Sequence, residues 1–358
     1  MRQKASLLFL LLGIGSWGYH RAALSPTSIP SFFPSHALVR DTLTATIFFQ
    51  SDTLGEPIRL AIFDSLLLVG DASLRPALHI ISLTGQYLAG LGRRGEGPGE
   101  FLNIWKIFST APTGIWIWDG RLRRLTQLNL AIRPPRLERQ KRITASFDLF
   151  SFDWIDEARI ISAGFQPDGR LVLMDSTFQT LRVLGPDPPG DAPMAVRQHA
   201  YQRWVCYDAT TRYAIVAYYY ADLIEAYRLD GSLAWAVRGA DGFDPIYDIR
   251  SYQGAPARAT RPDTRYGYKD LSCFIHRDTN TSYAIMLFSG YRANQPEAWM
   301  GRALHVVNLS TGQLVARFAL SLPSYSGLAI DSDYCVYTIA TLPQPAIVRY
   351  CLPKNIFF

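Results

Sequence analysis

Aromatic and arginine side chains that could hold a ligand are concentrated in three stretches of this sequence. Residues 92–101 read GRRGEGPGEF, residues 218–220 are three consecutive tyrosines, and residues 290–301 contain both arginine and tryptophan. Aromatic faces can stack on sugars or bases, and a guanidinium can bind acidic groups. The candidate ligand-binding residues are Arg93, Arg94, Glu96, Tyr219, Tyr220, Arg292 and Trp299.

The sequence carries no recognised catalytic or metal-binding motif. Its six histidines are scattered, and no H-x-H, H-E-x-x-H, G-x-S-x-G or C-x-x-C pattern occurs. We therefore expect no catalytic residue, no metal and no cofactor. An alternative is that Asp119, Asp222, Asp241 and Asp244 supply carboxylates around a channel, as a hydrolase or lyase would require. Acidic residues are also common in turns, where their role is structural.

The composition indicates a folded protein that is rich in β-structure. Hydrophobic residues make up 48% of the 358 residues and charged residues only 18%, which excludes a disordered chain. Aromatic residues make up 13%, and their flat side chains fit a pleated sheet well. The length is above the common range for one domain, so it favours two domains or one repeat architecture.

A recurring apolar run indicates six similar units. The runs start 45 to 70 residues apart, which is the spacing of a four-stranded propeller blade with loops of variable length. They are residues 65–70, 114–119, 159–164, 213–218, 283–288 and 335–340. A short β-like segment before each run predicts an inner strand. Turn signals at Gly85, Gly231 and Gly312 predict hairpins that lead to outer strands.

The sixth unit has no room for a fourth strand after its third. Residues 36–49 alternate in β fashion through Leu43, Ala45, Ile47 and Phe49, and we expect them to supply the outermost strand of the last blade. Closing the ring in this way leaves only short, protected strand edges. The expected fold is all-β, a six-bladed β-propeller of four-stranded antiparallel blades over residues 37–358, with the ring closed by an N-terminal strand.

The first 36 residues are expected to lie outside the propeller. Arg2 and Lys4 precede an apolar run over residues 5–15 that is short for a membrane span and typical of a secretory signal. We interpret residues 1–18 as a signal peptide, with an uncleaved anchor as the alternative, and residues 19–36 as a flexible leader. The protein is then secreted or periplasmic, and no later segment is apolar enough to span a membrane.

All four cysteines lie in the C-terminal half of the chain, at positions 206, 273, 335 and 351. Cys335 and Cys351 flank a turn, so they could form a disulfide across a hairpin in an exported protein. Buried free thiols are the alternative.

Residues 121–142 contain eight basic residues and one acidic residue. One interpretation is a docking patch for an anionic partner such as a polysaccharide, a phospholipid surface or a nucleic acid. The other is a solvated outer strand whose charges prevent edge-to-edge pairing. No nucleic-acid-binding motif accompanies the charges, so we do not expect a nucleic-acid partner.

Residues 92–101, taken with the six-fold pattern, resemble the secreted bacterial six-bladed β-propellers of the TolB-like and NHL-repeat type. Those proteins carry a G-x-x-G-x-G-P-G-E-F turn after an outer strand, and here the match runs from Gly92 to Phe101. The resemblance covers about residues 37–358. It implies the fold more specifically than the function, since members of the wider superfamily bind partners or ligands and some NHL relatives are enzymes. No catalytic residue carries over. Many such relatives are lipid-anchored, but this chain has no cysteine near its predicted cleavage site.

The predicted function is that of an exported binding module, which recognises a protein, a small molecule or a glycan at the mouth of the central channel. The face around that mouth is expected to contain residues 92–101, 119–121, 165–168, 218–222, 238–244, 290–301 and 342–345. The alternative is a propeller hydrolase or lyase with a carboxylate or metal site in the channel.

Overall fold

Six antiparallel β-sheets surround a central channel, so the predicted all-β six-bladed propeller is confirmed. The computed structural model describes residues 39–110, 114–132, 134–239, 241–341 and 343–357. The predicted signal peptide and leader lie outside these residues. Within the described ranges, no helix reaches the length and apolarity that crossing a bilayer would require.

Each blade contains four strands, which follow one another from the channel outwards. Blade 1 contains Pro57–Phe63, Leu66–Asp71, Leu78–Ser82 and Tyr87–Leu91. Blade 2 contains Ile104–Thr110, Gly114–Asp119, Arg124–Asn129 and Arg136–Arg142. Blade 3 contains Leu149–Trp154, Arg159–Gly164, Leu171–Asp175 and Thr180–Leu184.

The second half of the ring follows the same plan. Blade 4 contains Arg203–Asp208, Tyr213–Tyr218, Leu223–Arg228 and Leu233–Arg238. Blade 5 contains Tyr268–His276, Thr281–Phe288, Gly301–Asn308 and Leu314–Ser324. Blade 6 contains Ser326–Ile330, Cys335–Ala340, Ala346–Cys351 and Thr46–Gln50.

The six apolar runs form the second strands of the blades, because that strand is covered by neighbouring blades on both of its faces. All six residues of Cys335–Ala340 are buried, and so are the last five of Leu66–Asp71. The hydrophobic core is accordingly divided into six clusters, one at each interface between adjacent blades. A strand buried on both faces reads as a continuous apolar run, which explains why these runs were the clearest signal in the sequence.

The N-terminal segment closes the ring as predicted. Thr46–Gln50 pairs antiparallel with Ala346–Cys351 and forms the outermost strand of blade 6. One feature differs from the prediction, because the segment forms two strands rather than one. Val39–Leu43 pairs in parallel with Leu314–Ser324 at the edge of blade 5, and Leu43 is buried in the core between blades 5 and 6. The start of the described chain therefore joins two blades.

Two insertions on the loops between blades were not predicted. Helix Met194–Ala200 lies in the crossing from blade 3 to blade 4. The hairpin of Tyr247–Tyr252 and Ala255–Thr260 lies in the next crossing, and the helix packs against its second strand. Most of the hairpin's side chains are exposed, so it lacks the alternation of buried and exposed positions that marks a strand in a sequence.

Both pairs of cysteines form disulfides. Cys335 and Cys351 lie directly opposite each other in blade 6 and are bonded, which decides between the two alternatives that the sequence left open. A second bond, which was not predicted, joins Cys206 to Cys273 on the inner strands of blades 4 and 5.

The basic segment ends in the outer strand of blade 2, Arg136–Arg142, in which all but the second residue are exposed. This position agrees with the interpretation of a charged edge that resists pairing with other sheets. The ammonium group of Lys141 donates to the carbonyl of Ser176 at 2.7 Å, which ties the strand to blade 3. Docking of an anionic partner on this strand stays a prediction.

Candidate channel-mouth binding site

A cavity of about 770 Å³ opens at one mouth of the channel. It is formed where the inner strands begin and where the loops between blades cross. Residues from the predicted face line it together, including Arg94, Arg121, Tyr219 and Trp299. Two other parts of the predicted face, residues 165–168 and 238–244, contain no described residue that lines the cavity. Residue 342, also in the predicted face, lies outside the described residues.

A ring of large side chains from the inner strands forms the floor of this cavity. Trp105, Phe150, Trp204 and Lys269 are each the second residue of an inner strand, and Arg59 is the third residue of its own. All inner strands enter the channel from the same face, so these equivalent positions meet. The indole N–H of Trp105 donates to the carbonyl of Phe150 at 2.6 Å, and that of Trp204 donates to the carbonyl of Tyr268 at 3.0 Å.

Arg59 is held in the floor by backbone carbonyls and aromatic rings. Its Nε donates to the carbonyl of Trp105 at 2.6 Å, and a terminal nitrogen donates to the carbonyl of Ile58 at 2.7 Å. The guanidinium lies 4.8 Å from the centroid of the Trp105 ring, a cation–π distance. Burial lowers the pKa of Arg59, and the more distant carboxylate of Asp270 acts in the opposite direction. No ion pair among the described residues includes Arg59, so the site retains a positive charge that no protein carboxylate neutralises by direct contact.

Lys269 is the most deeply buried cation of the cavity, with only 6% of its surface exposed. Its ammonium group donates to the hydroxyl of Tyr219 and lies 3.8 Å from the centroid of that ring and 5.2 Å from that of Tyr266. Burial, and then the positive charge of Arg59, lowers the pKa of Lys269 to about 7. The charge of the cavity therefore changes near neutral pH.

We expect replacement of Lys269 by methionine to remove a pH dependence of stability. The folded protein releases the proton of Lys269 near pH 7, whereas the unfolded chain keeps it up to the ordinary pKa of 10.5. The unfolded state binds more protons between these values, so the free energy of unfolding rises with pH, by about 2 kcal/mol from pH 7 to pH 9. Urea unfolding at several pH values measures this slope.

The exposed Lys141 supplies the control for this experiment, since Lys141→Met should keep the wild-type slope. A Lys269→Met protein with an unchanged slope between pH 7 and pH 9 would show that Lys269 keeps its ordinary pKa.

The glycine-rich loop of residues 92–101 is closed on itself by Glu100. The carboxylate of Glu100 accepts from the N–H of Gly97 at 2.9 Å and from Nε of Arg93 at 2.8 Å. Gly92 adopts a φ of +73°, and a Cβ there would meet the ring of Phe101, which is buried between blades 1 and 2. The glycine-rich composition of the loop is therefore explained by the backbone conformation that the loop adopts.

The loop side chains differ in their relation to the cavity. Arg94 lines it and is exposed, whereas Arg93 and Glu96 do not line it. Arg93 is paired with Glu100, and the carbonyl of Glu96 accepts from Arg124 at 2.7 Å.

The side chains of the three consecutive tyrosines lie in three different environments. Tyr218 is buried between blades 3 and 4, where its hydroxyl donates to Glu225. Tyr219 lines the cavity, and its ring lies edge-on to that of Tyr220 at 4.7 Å. Tyr220 is covered by the guanidinium of Arg258 at 3.6 Å and does not line the cavity.

The last two candidate residues are likewise separated by the fold. Trp299 is 41% exposed, lines the cavity and contacts Tyr325 edge-on at 5.0 Å. Arg292 is exposed and is not part of the lining. The structure therefore brings together Arg94, Tyr219 and Trp299 from the predicted set.

The four candidate carboxylates form hydrogen bonds or ion pairs within the protein. Asp119 is fully buried and accepts from the N–H groups of Leu102 and Asn103 at 2.6 and 3.1 Å, which holds the crossing loop next to the cavity. Asp222 likewise accepts from the N–H groups of Asp241 and Gly242.

The other two candidate carboxylates form ion pairs. Asp241 pairs with Arg317 at 3.2 Å, and Asp244 pairs with Arg238 at 2.8 Å. Among the described residues, no group of three or more histidine, cysteine, aspartate or glutamate side chains could hold a metal ion.

Several lining residues were missed because they belong to strands rather than loops. Arg59, Trp105 and Trp204 belong to short segments that were recognised only as β-like, and Lys269 precedes residues 271–275, the segment expected to be the inner strand of blade 5. The missing signal was their shared position near the start of each inner strand. Aligning the inner strands of blades 2 to 5 on that position would have brought together Trp105, Phe150, Trp204 and Lys269.

Comparisons with known proteins agree with this architecture. Residues 33–323 match the family described as TolB-like 6-blade propeller-like. No curated protein matches the sequence.

Similar solved structures include a protein of Bacteroides fragilis NCTC 9343 that is described as exported (10% identity, 88% of this chain and 98% of that chain covered, TM-score 0.49). Another is the WD40 domain of Pan2 from Neurospora crassa (11% identity, 87% and 95% covered, TM-score 0.44). A third is the β-propeller domain of Cps50 (Swd1) from Myceliophteria thermophila (11% identity, 83% and 97% covered, TM-score 0.44).

Proposed function

The chain belongs to the TolB-like six-bladed propeller family, and from this premise we propose that it is a binding module that takes a ligand in the channel-mouth cavity. The observation that carries this proposal is the cavity itself. It measures about 770 Å³, within the range of small-molecule sites, and six aromatic residues line it. They are Trp105, Phe150, Trp204, Tyr219, Trp299 and Tyr325.

Hydrogen bonds hold the floor and the rim of the cavity in place, which supports the proposal that the binding surface is largely pre-formed. The floor is built from inner strands, and the indole N–H groups of Trp105 and Trp204 are fixed by carbonyls of neighbouring blades. The rim is built from loops that buried aspartates hold in place, as Asp119 does. Side chains that are already ordered lose less entropy when a ligand binds, so a rigid mouth favours affinity.

We also propose that the protein is exported. Two disulfides pair all four cysteines, and disulfides persist in oxidising compartments such as the periplasm or the extracellular medium. The predicted signal peptide lies outside the described residues and stays a prediction, which cell fractionation and N-terminal sequencing of the purified protein would test. The alternative function of a hydrolase or lyase has no specific observation in its favour.

The binding proposal predicts that a ligand will quench tryptophan fluorescence at the mouth. Three of the eight tryptophans line the cavity, so a bound ligand should change the emission. We expect a panel of saccharides, amino acids, nucleotides and short peptides to contain at least one compound that quenches it and raises the melting temperature. Trp299→Ala should then weaken the binding of that compound about tenfold, because an aromatic contact is lost.

Tyr252 provides a matched control, since it is an exposed aromatic residue on the hairpin and does not line the cavity. Tyr252→Ala should leave affinity unchanged. A ligand that binds equally well to the wild-type protein and to a Tyr219→Ala, Trp299→Ala double variant would place the binding site elsewhere.

A further inference from the structure

Basic residues outnumber acidic ones among the described residues that line the channel mouth. Arg59, Arg94, Arg121 and Lys269 are basic, and Glu56 is the single acidic residue among the described lining residues. The two arginines of the rim are exposed, whereas Lys269 lies in the floor. A cleft lined by one sign of charge attracts ligands of the opposite sign.

These cations are not paired with carboxylates of the protein. No ion pair among the described residues includes any of the four, although twelve ion pairs occur elsewhere in that part of the chain. Arg93, next to Arg94 in the sequence, shows the contrast, because Glu100 neutralises it. The basic side chains that face the cavity can therefore meet an anion without first breaking an ion pair with a carboxylate of the protein.

The side chains of the lining are better placed to meet an anion than the glycine-rich loop, because part of the backbone of that loop is engaged within it. Three of its N–H groups are used internally, with Gly95 donating to the carbonyl of Phe101, Gly97 to the carboxylate of Glu100, and Glu100 to the carbonyl of Gly97. A phosphate bound in a glycine-rich loop relies on such N–H groups. Guanidinium groups can bind a planar carboxylate with two parallel hydrogen bonds, as they can a phosphate, without any backbone N–H group.

The aromatic lining points to the rest of the ligand. Trp299 and Tyr325 meet edge-on at the rim, and Tyr219 also lines the cavity, where the ammonium group of Lys269 lies 3.8 Å from the centroid of its ring. A pyranose ring packs its C–H face on the electron-rich face of an aromatic ring and leaves its hydroxyls free for hydrogen bonds. We propose, on the basis of the proposed binding function, that the ligand of this cavity is an acidic saccharide whose carboxylates meet Arg94, Arg121 and Lys269.

The experiment compares two probes of equal size that differ in charge, trigalacturonate and its neutral counterpart galactotriose. Binding to the full protein is measured by fluorescence and calorimetry at pH 6, where Lys269 is protonated. We expect trigalacturonate to bind at least tenfold more tightly than galactotriose. Arg94→Ala and Arg121→Ala should each weaken trigalacturonate binding about tenfold, because a charge-assisted hydrogen bond is lost.

Arg182→Ala is the matched control, since Arg182 is exposed on the outer strand of blade 3 and does not line the cavity. Its affinity for trigalacturonate should equal that of the wild-type protein. Salt should weaken the binding of trigalacturonate and leave any binding of galactotriose unchanged.

Four outcomes would overturn the inference, and one of them also overturns the proposed function. Equal binding of both probes would exclude recognition of charge. Equal competition by a hexaglutamate peptide or by inorganic phosphate would exclude the saccharide. Failure of trigalacturonate, while another compound of the screening panel binds at Trp299, would leave the binding module intact but assign it a different ligand. Failure of every compound in that panel would overturn the binding function as well.

Discussion

A chain that begins at Ser51 is expected to lose the folded ring, when compared with a reference chain that begins at Val39. The truncation removes Thr46–Gln50, which is the outermost strand of blade 6. It removes the hydrogen bonds to Ala346–Cys351, and it removes Phe48 and Phe49, which contact Tyr337 and Tyr87 at centroid distances of 4.9 and 6.1 Å.

The size of this effect follows from adding these contributions. Each ladder hydrogen bond contributes about 1 kcal/mol net, and each aromatic contact contributes about 1 kcal/mol beyond the apolar area that it buries. The sum is about 5 kcal/mol or more, which is comparable with the whole stability of a typical domain. The strand also joins the two ends of the ring, so its loss exposes an edge that can aggregate.

A third chain that begins at Ala45 separates the roles of the two N-terminal strands. It lacks only Val39–Leu43, the parallel strand at the edge of blade 5, and we expect it to fold with a lower melting temperature because the burial of Leu43 is lost. Circular dichroism melts of the three chains give the comparison. If the chain that begins at Ser51 melted at the same temperature as the reference, closure by the N-terminal strand would not be what stabilises the ring.

The architecture could be predicted because burial of the second strand of each blade requires a run of apolar residues, which is visible in the sequence. Second strands are buried on both faces, so Cys335–Ala340 and its equivalents read as apolar runs, and counting those runs gave six blades. Ring closure followed from the missing fourth strand of blade 6. The partner of Val39–Leu43 could not be predicted, because a β-like segment does not specify which edge it will join.

Residues at the channel mouth could be predicted only where the order of the strands alone determines on which face a loop lies. Loops between blades and loops between second and third strands share one face, so Arg94, Tyr219 and Trp299 were placed correctly at the mouth. Arg93 and Arg292 lie in the same loops but do not line the cavity, and side-chain direction in an irregular loop is not encoded in spacing. Lys269 was missed because the inner strand of blade 5 was expected to begin at residue 271, whereas it begins at Tyr268.

The second large effect is expected from the disulfide between Cys206 and Cys273. The inner strands that it joins, Arg203–Asp208 and Tyr268–His276, belong to different sheets, so no β-ladder connects them. The bond spans 67 residues of sequence, which include the rest of blade 4 and the inserted hairpin. In the chain-entropy description, a loop of this length in the unfolded state corresponds to about 4 kcal/mol of stabilisation.

The other disulfide provides a matched comparison within the same protein. Cys335 and Cys351 are 16 residues apart in a hairpin that already pairs along its whole length, so the same description gives about 3 kcal/mol. Urea unfolding of the Cys206→Ala, Cys273→Ala variant should therefore show a larger loss than that of the Cys335→Ala, Cys351→Ala variant. An equal or reversed order would mean that packing between blades 4 and 5 holds these inner strands without the covalent bond.

The wild-type protein purified from an oxidising compartment should show no titratable thiol before reduction and four after it, whereas thiols that react before reduction would contradict both pairings.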